Sequence, residues 1–248
     1  ALLPPGCAHV LSAVSVAFHS TEDLLNLLSM GVSLPADFFV KASGRAHVLG
    51  ETLGLLPMAQ GPRARLQRAR CLRLNSVTRP YAELWREHYV EATSCDAPTK
   101  PDPRAGTYAH LTPEWTWDTP LRTPFERRQA LVELDALAAL SLDMTLDELL
   151  LIYRVQFPVL QQYERETFYD QRGKIVFTVN RGLSGVGVTR AQWGEIQHAQ
   201  AGDTLPEWAV DQQGAFVAPF DACDREADMA QAYEEFRRRT GPGTTTEQ

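Results

Sequence analysis

A group of arginines is the part of this sequence whose residue types point most clearly to chemistry. The segment from residue 63 to residue 79 contains no acidic residue. Arginine guanidinium groups bind phosphate through paired hydrogen bonds and read guanine edges in the DNA major groove. The segment therefore suggests DNA contact, and the alternative is that its arginines are solvated at the edge of a strand. The candidate DNA-binding residues are Arg63, Arg65, Arg68, Arg70, Arg73 and Arg79.

Two further features accompany this basic segment. Tyr81 and Trp85 are four residues apart, so they share one face of a helix and could stack on a base, although such a pair more often belongs to a core. Lys41 and Arg45 form a smaller basic turn in "KASGR", and we include both as candidate DNA-binding residues. Both features would support the same surface if the arginines do contact DNA.

The remaining motifs do not form a catalytic or metal-binding set. "GLSGVG", from Gly182 to Gly187, follows a predicted strand, but it lacks the GK[ST] ending of a phosphate loop and has the order GxxGxG instead of GxGxxG. We therefore predict a flexible connection there.

Glu133 and Asp135 are two positions apart and do not share a helix face, so we expect solvent-facing charges. The histidines and cysteines show no metal-ligand spacing, and GxSxG is absent, so an independent enzyme lacks support.

Composition limits the classes of protein that fit. The chain has 248 residues, a formal net charge of -7 and 44% hydrophobic residues, which is enough for a substantial core. The acidic balance argues weakly against free-standing DNA binding but permits a local basic face. No apolar run approaches the roughly 20 residues of a membrane span. Four scattered cysteines without a ligand pattern favour a reduced, cytoplasmic protein.

The sequence predicts an α+β chain that is predominantly helical, with short strands and long Pro-rich loops. Capping residues predict helices after Ser20 or Thr21, Thr78, Thr123, Thr145, Thr189, and Asp221 or Asp224, and prolines predict further short helices at Pro35 and Pro158. "GKIVFTV" predicts a strand, and "RLQRARCLRLN" fits a helix or a strand.

We divide the chain by composition into four parts. These are a segment that contains the basic run (1–91), a Pro-rich loop or mobile insertion (92–122), a helical region with a small strand element (123–240) and a disordered tail (241–248).

Four segments carry a resemblance to a known family. They are "DLLNLLSMGVSLPADFFVKASGRAHVLGETLGLLPM" (23–58), "RLNSVTRPYAELW", the segment from 123 to 178, and "APFDACDREADMAQAYEEF". The first resembles the region that follows the catalytic domain in Eco57I-like, type IIG-related N6-adenine DNA methyltransferases, and the others resemble the portion after it. Those bacterial enzymes belong to restriction–modification or phage-defence systems. The resemblance covers most of residues 20 to 238.

The resemblance implies a role in target recognition without catalysis by this chain. Such methyltransferases carry a glycine-rich motif for S-adenosylmethionine and an (N/D)PP(Y/F) motif that holds a flipped adenine, and neither occurs here. S-adenosylmethionine is therefore implied only for the parent protein. The implied partners are duplex DNA and the methyltransferase domain in cis, or other defence-system subunits. The alternative is a protein-interaction scaffold of a bacterial defence complex that does not touch DNA.

Overall fold

The computed structural model describes residues 2–3, 15–44, 50–211 and 214–241. Its helices are α1 (Thr21–Gly31), α2 (Leu34–Ala42), α3 (Gly50–Leu53), α4 (Gly61–Asn75), α5 (Ala82–His88), α6 (Pro124–Ser141), α7 (Leu146–Gln156), α8 (Pro158–Arg165), α9 (Arg190–Ile196) and α10 (Arg225–Thr240). The strands are β1 (Thr167–Tyr169), β2 (Ile175–Thr178), β3 (Val210–Asp211), β4 (Gly214–Ala215) and β5 (Asp221–Ala222). The fold is α+β and predominantly helical, as predicted.

Helix α6 is the centre of the molecule. It packs along α10 and α4, while α1 lies on α4 and α2 lies on α7. One core cluster joins Val132, Leu137 and Leu149 to Met229 and Phe236, which belong to the last helix. The chain therefore closes its core with a helix that lies about a hundred residues after α6.

Two small sheets complete the architecture. Strand β1 is the centre of a three-stranded antiparallel sheet in the order β2–β1–β5, and Phe168 pairs with Phe177 on one side and Ala222 on the other. Strands β3 and β4 form a separate two-stranded ribbon. Strand β1 was not predicted, because its residues follow the helical pattern of α8 directly.

Local capping chemistry explains where several helices begin. Ser20 caps α1, and Ser33 caps α2 just before Pro35. Thr123, Thr145 and Thr189 each form a capping box, in which the side chain of the third helical residue bonds back to the cap. Asp224, and not Asp221, caps α10. Thr78 makes no capping bond, and a 3-10 turn (Arg79–Tyr81) precedes α5 there.

The Pro-rich segment from 92 to 122 contains 3-10 turns (Glu91–Thr93 and Pro103–Ala105) but no α-helix or strand, and it packs closely on the helices. Tyr108 and Leu111 are buried in a cluster with Trp85, and Leu121 is buried beside Leu134. The Thr99 amide donates to the buried Glu133 carboxylate. The loop is thus part of the core and not a peripheral insertion. The predicted tail lies almost entirely outside the described residues.

Within the described ranges, no single helix is long and apolar enough to cross a membrane. Helices α1 and α2 satisfy the length and composition test only as a pair, and the chain bends by 76° between them.

Candidate nucleic-acid surface

The arginine segment forms the helix α4, and this helix turns much of its basic character inward. Because α4 packs against α1 on one side and α6 on another, few of its side chains remain free to face solvent. Arg70 is fully buried, and its guanidinium donates to Glu133 and, at 2.6 Å, to Asp96. Such a group cannot contact DNA in this fold, which corrects the expectation for Arg70.

Arg73 is also buried and its expected role in DNA contact is likewise corrected. Its Nε donates to the Thr119 carbonyl at 3.1 Å, and its guanidinium carbon lies 4.4 Å from the centre of the Tyr108 ring. Buried charge of this kind is tolerated only when polar and aromatic partners surround it. Arg73 therefore fastens the Pro-rich loop to α4.

Arg63 and Arg68 are half-buried and already engaged. Arg63 donates to the Leu140 carbonyl and to the Thr240 hydroxyl, which ties α4 to the ends of α6 and α10. Arg68 donates to Asn26 at 2.9 Å and forms an ion pair with Glu22 at 2.8 Å. Both side chains hold helices together, and contact with DNA would have to compete with those bonds.

Arg65 and Arg79 are the members of the set that remain available. Both are exposed, and neither has a hydrogen-bond or ion-pair partner among the described residues. Lys41 is exposed but pairs with Asp37 at 2.9 Å and lies over the Phe157 ring. Arg45 lies outside the described residues.

The two aromatic candidates for base stacking are core residues. Trp85 is completely buried, and its indole Nε1 donates to the Thr112 carbonyl at 2.8 Å. Tyr81 is partly buried and its hydroxyl donates to the Leu2 carbonyl. The stacking role is therefore corrected for Trp85, and the core interpretation of this aromatic pair is confirmed.

A different aromatic side chain is exposed in the loop that bonds to Ser76 and Val77, just before Arg79. Trp117 has 68% of its surface accessible, the highest value among the exposed large hydrophobic side chains in the described ranges. The guanidinium carbon of Arg122 lies 3.7 Å from the centre of its ring. Arg122 also donates to the carbonyls of Trp117 and Val77, each at 2.9 Å, so the loop that carries Trp117 is held against the turn before Arg79. We call Arg79, Trp117 and Arg122 the Trp117 surface.

The electrostatics around this surface are positive but mixed. Burial lowers the pKa of Arg122, and the carboxylate of Asp118 opposes that shift. Burial and the nearby charge of Arg122 together lower the pKa of Arg127, which donates to the carbonyls of Leu74 and Leu121. Neither guanidinium group has a carboxylate within ion-pair distance among the described residues, and Arg127 is partly buried with its Nη1 engaged by the Leu74 and Leu121 carbonyls.

None of the sequence patterns pointed to Trp117 as a functional residue. The local motif "WTW" offers two indoles in an extended, proline-punctuated stretch. Trp115 is half-buried and donates from Nε1 to the Ser76 carbonyl, whereas Trp117 faces outward. Only the tertiary contact between this loop and the 76–79 turn separates their roles.

The acidic residues Glu133 and Asp135 also differ from expectation, because both are buried. Glu133 pairs with Arg70, and Asp135 pairs with Arg225 at 2.7 Å. Burial raises the pKa of Asp135, while the Arg225 guanidinium and the Leu34 amide offset part of that shift. These carboxylates are structural ion-pair partners of α4 and α10, and the prediction of solvent-facing charges is wrong.

Comparison with protein-family models, with curated proteins and with solved structures gives no match to this chain. In the described part of the chain, no group of three or more histidine, cysteine, aspartate or glutamate side chains could hold a metal ion.

Proposed function

We propose that this chain is the DNA-holding C-terminal part of an S-adenosylmethionine-dependent N6-adenine DNA methyltransferase. The parent would belong to a restriction–modification or phage-defence system and act in the cytoplasm. Methyl transfer and cofactor binding would be the work of a methyltransferase domain in cis or of another subunit. The observation that carries the proposal is the exposed Trp117, whose ring lies under the Arg122 guanidinium, in a loop bonded to Val77, two residues before the exposed Arg79.

This combination suits nucleic acid for physical reasons. Guanidinium groups bind phosphate through charge-assisted hydrogen bonds, and an exposed indole can stack on an unpaired base or pack against the sugar. Phosphate contacts fix the position of a protein on DNA without reading its sequence. The Trp117 surface would therefore hold the duplex in place while the catalytic domain acts on the flipped adenine.

The net charge of -7 requires this contact to be local and sensitive to salt. Several acidic side chains, including Glu133, Asp135 and Asp228, form internal ion pairs. The remaining surface still repels a polyanion at long range, so we expect the isolated chain to bind DNA weakly at physiological salt. Binding should be measurable at low ionic strength, where attraction to phosphate is strongest.

The test is fluorescence anisotropy of a labelled duplex at low and at moderate salt. Arg79→Glu should weaken binding by roughly tenfold or more at low salt and reduce its salt dependence, because a phosphate contact is lost and a repulsion is added. Trp117→Ala should weaken binding with little change in salt dependence, because an indole carries no charge.

The matched control is Arg237→Glu, which makes the same charge change at an exposed arginine near the end of α10. It should leave affinity nearly unchanged. If Arg237→Glu weakens binding as much as Arg79→Glu does, the effect is a net-charge effect and the Trp117 surface is not the DNA site.

A specific observation favours the protein-interaction scaffold as a second candidate. Leu151 and Val155 are four residues apart on α7 and share one of its faces, Val159 follows on α8, and each is more than half exposed. Exposed apolar side chains that cluster on a surface commonly mark a protein partner. Absence of DNA binding at low salt, together with a partner association that does not weaken with salt, would favour this function over DNA holding.

A further inference from the structure

A groove lined by two arginines lies beside the loop that follows β2. The groove has a volume of about 880 Å³ and lies between α8 and the segment from 177 to 190. Its charged lining residues are Arg181 and Arg190, and its described lining contains no carboxylate. We call it the glycine-loop groove, because Gly185 and Gly187 line it.

The two arginines are exposed and weakly engaged. Arg181 has no hydrogen-bond or ion-pair partner among the described residues. Arg190 lies 5.2 Å above the centre of the Phe177 ring, and it reaches the Glu166 carboxylate only at 3.5 Å with 72% of its side chain exposed. An ion pair of that length and exposure is worth little, so Arg190 can exchange Glu166 for another anion at small cost.

The loop backbone adds hydrogen-bond donors to the same groove. The amide groups of Gly185 and Gly187 have no acceptor within the described parts of the chain, whereas the neighbouring Val186 and Val188 amides are bonded to backbone carbonyls. Gly185 and Gly187 adopt φ values of +82° and +74°. Free amides in a loop with positive φ form concave anion sites when they converge with cationic side chains.

The shape of the loop is fixed where it meets the sheet. The Val188 amide donates to the Val176 carbonyl at 2.7 Å, and a Cβ on residue 187 would lie 2.3 Å from that same oxygen. Glycine at position 187 is therefore required for the loop to sit against β2. Asn180 closes the other end by accepting from the Gly182 amide.

We propose that the glycine-loop groove binds a phosphate-bearing ligand, with Arg181 and Arg190 supplying charge and the loop amides supplying neutral donors. Phosphate oxygens accept from both kinds of group, and the Glu166 carboxylate, which also bonds to Gln162 in the lining, reaches Arg190 only at 3.5 Å. The source of the phosphate is either the backbone of DNA or a free polyphosphate or nucleotide. This site does not depend on the Trp117 surface, since different elements build the two.

Isothermal titration calorimetry of the full chain with tripolyphosphate, at low salt, provides the first arm of the test. The double variant Arg181→Ala/Arg190→Ala should weaken binding by about tenfold for each arginine lost. The matched control is Arg165→Ala/Arg172→Ala, which removes two exposed arginines from neighbouring elements outside the groove and should leave binding unchanged. Ser184→Glu should also abolish binding, because it places a carboxylate in the groove.

Duplex DNA anisotropy with the same variants provides the second arm and identifies the source. If the groove double variant weakens both probes and lowers the salt slope by about 2, the DNA backbone occupies the groove. If it weakens tripolyphosphate alone, the ligand is a free phosphate compound. The proposal is overturned if neither probe responds to Arg181 and Arg190, or if the control pair has the same effect. If neither Trp117→Ala nor Arg79→Glu weakens DNA binding, the proposed function is refuted, but the proposed phosphate site in the glycine-loop groove is not.

Discussion

At the scale of single residues, burial decides what each arginine can do. Arg70 and Arg79 are nine residues apart and chemically identical, yet one is fully buried between two carboxylates and the other is exposed without a partner among the described residues. The sequence shows the residue type, which sets the possible chemistry. Exposure, which sets the actual chemistry, depends on partners that lie far away in the chain.

The same principle makes two glycines of one loop unequal. We expect Gly187→Ala to destabilise the protein by at least about 2 kcal/mol, because it adds both an unfavourable positive φ and a clash with the Val176 carbonyl. Gly185→Ala meets no atom within 4 Å and should cost only about 1 kcal/mol, from its positive φ alone. Urea denaturation compares the two variants, and equal losses of unfolding free energy would contradict the clash.

At the scale of elements, local signals predict where helices begin but not which faces they bury. The caps Ser20, Thr123, Thr145 and Thr189 act within one helical turn, so the sequence reveals them directly. Strand β1 pairs with β2 a few residues later and with β5 more than fifty residues later, but its residues directly follow the helical pattern of α8, so local sequence did not mark it as a strand.

The buried carboxylates escaped prediction for the same reason. Glu133 meets Arg70 across 63 residues and Asp135 meets Arg225 across 90. The Trp117 surface follows this rule as well, because it requires the contact between Arg122 and the Val77 carbonyl, 45 residues apart. Helix types and starts were therefore accessible from sequence, whereas the composition of the candidate site was not.

Helix α6 allows a direct test of capping strength. Thr123 accepts from the Glu126 amide at 3.2 Å while the Glu126 carboxylate accepts from the Thr123 amide at 2.9 Å. We expect Thr123→Ala to lower the free energy of unfolding by about 1 kcal/mol. Thr78→Ala is the control, because Thr78 precedes a helical turn without a capping bond and should change stability by less than about 0.5 kcal/mol. Thermal or urea unfolding measures the free energy of unfolding of both variants. A larger loss for Thr78→Ala than for Thr123→Ala would contradict the assignment of Thr123 as the cap of α6.

At the scale of the whole molecule, buried ion pairs connect elements that are distant in sequence. Asp96, in the Pro-rich loop, receives Arg70 from α4 and Arg239 from α10, and Arg70 continues to Glu133 on α6. A second set links α6, α8 and α10 through Arg128, Glu164 and Arg225. Such pairs contribute less to net stability than their geometry suggests, but the removal of one partner is costly.

Arg70→Ala therefore tests the role of the basic helix as a whole. It leaves Glu133 and Asp96 without their shared buried partner, so we expect a loss of about 3–5 kcal/mol in unfolding free energy. Arg68→Ala is the matched comparison on the same helix. Its ion-pair partner Glu22 is 57% exposed, so that loss should stay near 1 kcal/mol or below.

Comparison of Arg70→Ala with Arg79→Glu also separates folding from DNA contact. If Arg70 acts only inside the core, Arg70→Ala should bind duplex DNA normally under conditions where circular dichroism shows it folded, despite a much lower urea midpoint. A folded Arg70→Ala protein that has lost DNA binding while Arg79→Glu retains it would contradict the Trp117 surface and restore the basic helix as the contact. Charge reversal at Arg70 cannot make this distinction, because a buried glutamate at that position would unfold the core before any loss of phosphate contact could be measured.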